Sequence, residues 1–146
     1  AVFDATSAQP ISSQRIAALR DRLIAGVIDQ VPDAVLHGPS VHTPQGRAAR
    51  LPGIANLSFP GCEGDSLLYL LDAAGVACST GSACQAGVPQ ASHVLTAIGV
   101  DPDDARGTLR FSLGAPSTDD DVDRLIEVIG GVVERARTAG LASARN

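Results

Sequence analysis

Residues 54–75 read IANLSFPGCEGDSLLYLLDAAG, and two periodicities meet inside that stretch. From Ile54 to Phe59 the side chains alternate, with Ala55, Leu57 and Phe59 on one side and Asn56 and Ser58 on the other, the pattern of a half-buried strand. Gly61 to Gly64 supply turn chemistry around Cys62. Asp65 to Ala74 then carry apolar residues at helical spacing, and Gly75 is placed to close that helix in the left-handed conformation. A period of two giving way to 3.6 across one tight turn predicts strand and helix packed in the same unit.

Working outward, the same reading continues in both directions. Upstream, Ser12 or Ser13 caps a helix to about Gln30, with Ile16, Leu19, Leu23 and Val27 as its apolar face, and Pro32 ends it. Residues 1–12 read as a lead-in. Ala34 to Leu36 form a short apolar piece, and the polar run to Pro52 reads as a loop or hairpin. Downstream, Val76 to Cys78 read as a short strand, Ser79 to Pro89 as a loop, and Gln90 to Ile98 as a helix stopped by Gly99. Asp101 to Ala105 make one turn, and Thr108 to Leu113 alternate as a strand. Thr118 caps a last helix whose buried stripe is Val122, Leu125, Ile126, Ile129, Val132 and Val133. Asp119 to Asp121 sit favourably near its positive end, and residues 139–146 are expected to fray. The order predicts an α+β fold, a small sheet with helices on one face, as a single domain over residues 1–146.

Composition agrees with a folded domain. Hydrophobic residues make up 45% of the 146 and charged residues 18%, enough apolar surface for a core. With aromatics at 3% and no Trp or Met, that core is aliphatic. The net charge of -5 without a basic cluster argues against a nucleic-acid surface. No apolar run is long enough for a membrane span, and the first residues lack a signal-peptide pattern. Three cysteines without framework spacing fit free thiols in a reducing cytosol. All 11 basic residues are arginine, a bias of high-GC bacterial sequences. With no lysine, no Schiff base to a cofactor aldehyde can form on this chain.

The run with chemical character is Cys78 to Gly87, CSTGSACQAG. Cys84 stands among small residues, between a strand and a helix, where functional loops project and a helix dipole favours thiolate. On loop chemistry alone, a nucleophile and an ordinary free thiol stand level.

STGSAC at 79–84 resembles the active-site loop of NifS/IscS-like cysteine desulfurases, and four further runs are similar to the family in the same order: NLSFPGCEGDSLL (56–68), SHVLTAIG (92–99), RGTLRFSLG (106–114) and TDDDVDRLIEVI (118–129). The resemblance implies the C-terminal small domain of a fold-type-I pyridoxal-phosphate enzyme that converts L-cysteine to L-alanine. It makes Cys84 the persulfide carrier on a loop formed by Ser79, Thr80, Gly81, Ser82 and Ala83, and Arg110 the grip on the substrate carboxylate. Sulfur would pass to an iron–sulfur scaffold or to tRNA thiolation, and the full enzyme would be a cytoplasmic homodimer. The family's cofactor-binding residues belong to a large domain preceding this segment. The resemblance therefore implies a chain inactive alone, needing its cofactor-binding domain, and prone to association or swapping.

Other residues take plainer readings. Cys62, Cys78, Cys84 and His93 lack ligand spacing, so no metal site is expected. Cys62 is expected exposed in its turn, Cys78 in the core, His37 and His42 solvated, His93 on a helix surface or interface, and Asn56 structural. Three rivals remain: a selenocysteine lyase or class-V aminotransferase-like domain, a stand-alone persulfide carrier, and a redox or metal-binding protein.

Overall fold

The structure, a computed structural model, describes residues 2–80 and 93–143. Six helices and four strands follow in order among these residues: α1 (Val2–Gln30), β1 (Val35–Leu36), α2 (Pro44–Ala48), β2 (Ile54–Ser58), α3 (Gly64–Ala73), β3 (Ser79–Thr80), α4 (His93–Ala97), α5 (Pro102–Arg106), β4 (Thr108–Ser112) and α6 (Asp119–Ser143). The strands form one antiparallel sheet in the order β1-β2-β4-β3. The fold is thus α+β, with a small sheet covered by helices.

Alternation along β2 and β4 sorts the sheet into two faces. Ala55, Leu57, Leu109 and Phe111 point to one side and are buried with Leu23, Ile24 and Val27 of α1, Leu67 and Leu71 of α3, and Val122, Leu125, Ile129, Val132 and Val133 of α6. Helices α1, α3 and α6 pack on that side, and α6 packs against both α1 and α3. A one-residue slip of either strand would turn this aliphatic set outward, so the register is strongly specified.

Helix ends explain where the elements stop. Thr118 Oγ1 accepts from the Asp121 amide at 3.3 Å, while Asp121 Oδ2 accepts from the Thr118 amide at 2.8 Å, a reciprocal cap at the start of α6. Arg22 of α1 pairs with Asp119 at 3.0 Å and with Asp123, fastening the two long helices. At the end of α3, Gly75 takes φ +79°, and the amides of Gly75 and Val76 donate to the carbonyls of Asp72 and Leu71, each at 2.9 Å. This is the Schellman arrangement.

That cap corrects one expectation. Val76 to Cys78 do not form a strand, because the Val76 amide is committed to closing α3; pairing begins at Ser79, so the strand takes the first two positions of the expected loop. Three further boundaries move. Helix α1 begins at Val2, running through Pro10 and past Ser12 and Ser13, since proline removes one backbone donor without ending a helix held by packing further along. Helix α6 stays helical to Ser143, with Ala136 the last buried side chain among its described residues. The polar run 37–52 contains the short helix α2, capped by Thr43.

Close approach at Gly107 joins the turn after β2 to the start of β4. The Phe59 amide donates to the Gly107 carbonyl at 3.0 Å, and a Cβ at Gly107 would lie 2.5 Å from the Phe59 oxygen and 2.8 Å from that of Cys62. Those neighbours are backbone and cannot step aside.

Candidate functional site

The face of the sheet opposite the core is polar. On β2 it carries Ile54, Asn56 and Ser58; on β4 it carries Thr108, Arg110 and Ser112. Arg110 is exposed and lies on an internal strand: its Cα partners are Asn56 on β2 and Ser79 on β3. Side chains directly opposite in an antiparallel pair share a face, with Cβ atoms about 4.5–5.5 Å apart. Asn56, Arg110 and Ser79 therefore form one row across three strands. Among the described residues, neither Asn56 nor Arg110 has a side-chain hydrogen bond or ion pair, whereas the Ser79 hydroxyl donates to the Thr80 carbonyl at 3.1 Å.

The next row is already satisfied. Ser58 and Thr108 are buried and share a hydroxyl–hydroxyl bond of 2.5 Å, and His37 Nε2 bonds the same Ser58 hydroxyl. The His37 amide also donates to the Asn56 carbonyl at 3.0 Å. His37 is thus not solvated as expected; its partner lies 21 positions away, brought by β1–β2 pairing. His42 is exposed.

The cysteines divide. Cys62 is buried, not exposed as its turn suggested, because Gly61 at φ +76° turns the chain inward and the Cys62 thiol reaches the Val133 carbonyl of α6. Burial pushes its pKa up, against the lowering effect of neighbouring Arg137. Arg137 in turn donates to the Pro60 carbonyl and to Asp33 at 2.6 Å. Cys78 is partly buried beside Leu68, Tyr69 and Val76; burial, with a smaller contribution from Asp72, pushes its thiol up to about 11. Both thiols stay protonated near neutrality and are poor nucleophiles. Cys84, Gly81, Ser82 and Ala83 lie outside the described residues, as does the His93 side chain.

A cleft of about 300 Å³ opens between residues 75–77, the end of β4 and the start of α6, lined by Ser112, Ser117, Asp121 and Arg124. Ser112, on the same face of β4 as Arg110, lines it, but Ser79, Thr80 and Arg110 do not.

With no lysine in the chain, the covalent anchor that pyridoxal-phosphate enzymes require does not come from these residues. The residues of the open face suit a carboxylate: a guanidinium and an amide, both donors, with no acidic side chain in the row.

Comparison with known proteins shows the family of the chain. The class-V aminotransferase family model matches residues 9–125. An IscS-like cysteine desulfurase of Mycobacterium tuberculosis is 53% identical over 133 residues, covering 91% of this chain and 32% of that protein. A cysteine desulfurase IscS of Clostridium botulinum is 40% identical over 128 residues, covering 88% and 31%. Among solved structures, a NifS-like protein superposes with a TM-score of 0.68 at 28% identity, covering 89% of this chain and 30% of that one. A NifS-like protein from Rickettsia africae shares the fold, with a TM-score of 0.69 at 23% identity. The chain spans about a third of the length of the curated relatives it matches. Its motifs, its fold and a family match running from α1 into α6 lead to one conclusion: the chain belongs to the class-V aminotransferase family, among relatives that are cysteine desulfurases.

Proposed function

We propose that the chain is the small domain of a pyridoxal-phosphate-dependent cysteine desulfurase, a cytoplasmic enzyme, in which Arg110 holds the α-carboxylate of L-cysteine and Cys84 takes the sulfur. The observation that carries this reading is the register of β3 on β4. Ser79 is the first residue of the STGSAC run, and it pairs with Arg110. Four residue-to-residue steps lead from Thr80 to Cys84, a tether of at most about 14 Å. A substrate gripped at Arg110 is thus within reach of the Cys84 thiol.

The balanced transformation is L-cysteine plus the Cys84 thiol giving L-alanine plus a Cys84 persulfide. A sulfur–sulfur bond forms as the substrate carbon–sulfur bond breaks; the carbon is reduced and takes the proton as a methyl group, while sulfur is oxidised. The electron sink for that cleavage is the chemistry of the cofactor, which the family generally uses and which a separate, lysine-bearing domain would hold. This chain's own part is to bind, orient and carry away sulfur. A run of Gly, Ser and Ala suits a carrier that must deliver sulfur to an acceptor protein, such as an iron–sulfur scaffold.

The test compares the purified chain with the complete enzyme that contains it, each given L-cysteine and pyridoxal phosphate. The complete enzyme should release alanine and gain about 32 Da, one sulfur, on the Cys84 peptide; Cys84→Ser should abolish both. The isolated chain should do neither. Alanine from the isolated chain, or full turnover by Cys84→Ser, would overturn the proposal.

A further inference from the structure

Asn56 is an odd occupant of its position. Asparagine is depleted in strands, because it fits the pleated surface poorly and competes for backbone hydrogen bonds. Here it sits on an internal strand, held on both sides: its carbonyl accepts from the His37 amide at 3.0 Å, and across the other edge its Cα partner is Arg110. Its amide has no hydrogen bond to any described residue, although it is half-buried. The side-chain amide keeps access to solvent, so it is open to a partner from outside the chain.

Of the hydroxyls near Arg110, that of Ser112, two positions along β4, is exposed; those in its own row and the next toward His37 are spent. Ser79, on the far side of the row, donates to the Thr80 carbonyl. Ser58 and Thr108, in the next row, bond one another, with His37 completing the set. Within Arg110's own row the uncommitted donor is the Asn56 amide, fixed about 5 Å from it at the Cβ level. The guanidinium arm is long and exposed, so it can lean over its shorter neighbour and bring its N–H groups beside the amide N–H. Two convergent donors, one charged and one neutral, match the two oxygens of one carboxylate.

We infer that Asn56 is a second carboxylate-binding residue, donating its amide N–H to the substrate α-carboxylate alongside Arg110. The inference rests on the reading of Arg110 as the carboxylate grip, and deepens it by naming what completes the grip. Arg110 supplies charge; Asn56 supplies a second, directional hydrogen bond to the same carboxylate.

Steady-state kinetics of the complete enzyme with L-cysteine test it. Asn56→Ala should raise KM about tenfold with kcat changed by less than about twofold. Asn56→Asp should raise KM further than Asn56→Ala, because a second anion repels the substrate carboxylate and competes for Arg110. Asn56→Thr, better suited to a strand, should keep the melting temperature while still raising KM, which separates a lost contact from a damaged fold. An unchanged KM in Asn56→Thr, or an Asn56→Asp enzyme no worse than Asn56→Ala, would overturn the inference. Arg110→Ala, run beside them, tells the two levels apart. A KM raised by Arg110→Ala alone refutes Asn56 and keeps the parent reading; a KM unmoved by Arg110→Ala refutes both.

Discussion

The two faces of one four-stranded sheet obey different rules. On the covered face, Ala55, Leu57, Leu109 and Phe111 are buried against α1, α3 and α6, and their identity is set by volume and by removal from water. On the open face, Asn56, Arg110 and Ser112 alternate with them along the same two strands, contribute little burial, and expose donors. Neighbouring residues in sequence thus serve unrelated ends, and the difference teaches where to look for function: a polar row on internal strands, which the fold does not need for its core.

The comparison breaks first at the covered face. Leu109 is fully buried in the core, so Leu109→Ala should lower stability by about 3–4 kcal/mol, read as a lowered midpoint in urea unfolding. Arg110→Ala, one position on, should leave that midpoint within about 0.5 kcal/mol. In the complete enzyme the ranking reverses: Arg110→Ala should lower kcat/KM for L-cysteine about 100-fold, chiefly through KM, since a charged bond to a carboxylate is removed. Equal stability losses at 109 and 110 would erase the distinction between the faces.

Between these extremes lies the satisfied polar row. Ser58→Ala removes the hydroxyl shared by His37 and Thr108, and should cost about 1–2 kcal/mol by stranding buried polar groups. Little change would mean that the open face needs no internal hydrogen bonding at all. The smallest effect concerns Cys78. Its folded pKa, about 11, is raised above the ordinary 9.0, so the fold favours the neutral thiol. That contribution is fully present below about pH 9 and is lost as pH rises through about 11. Unfolding midpoints should fall over that window, and fall less in Cys78→Ala; an identical fall would show that other groups carry the alkaline loss.

Local signals made much of this legible. Helix α3 could be read because a glycine turn opens it and Gly75 closes it, and the strand pair β2–β4 because alternation is strict in LSF and LRF. What sequence could not show was pairing over distance. The strand misplaced at 76–78 looked apolar enough, yet its first amide belongs to the cap of α3, and the partner that makes Ser79 a strand residue lies 31 positions downstream at Arg110. His37 and Ser58 meet only through β1–β2 pairing. Arg20 interrupts the apolar face of α1 and looks misplaced there, but it is buried, bonding Asp21 at 2.8 Å and the Leu51 carbonyl at 2.9 Å. Arg110's place on the uncovered face followed from alternation; its neighbour Asn56, read as structural, acquires a reason only once the register sets the two side by side.

The most direct test of the central claim, that Arg110 and Cys84 serve one substrate, is the mass of the cysteine peptides after a single turnover at graded L-cysteine concentrations. It would be measured in the complete enzyme and in its Arg110→Ala variant. The account predicts sulfur on the Cys84 peptide in both, with the half-saturating concentration raised about 100-fold in the variant. The same half-saturation in both proteins, or sulfur arriving on Cys62 or Cys78 instead, would contradict it.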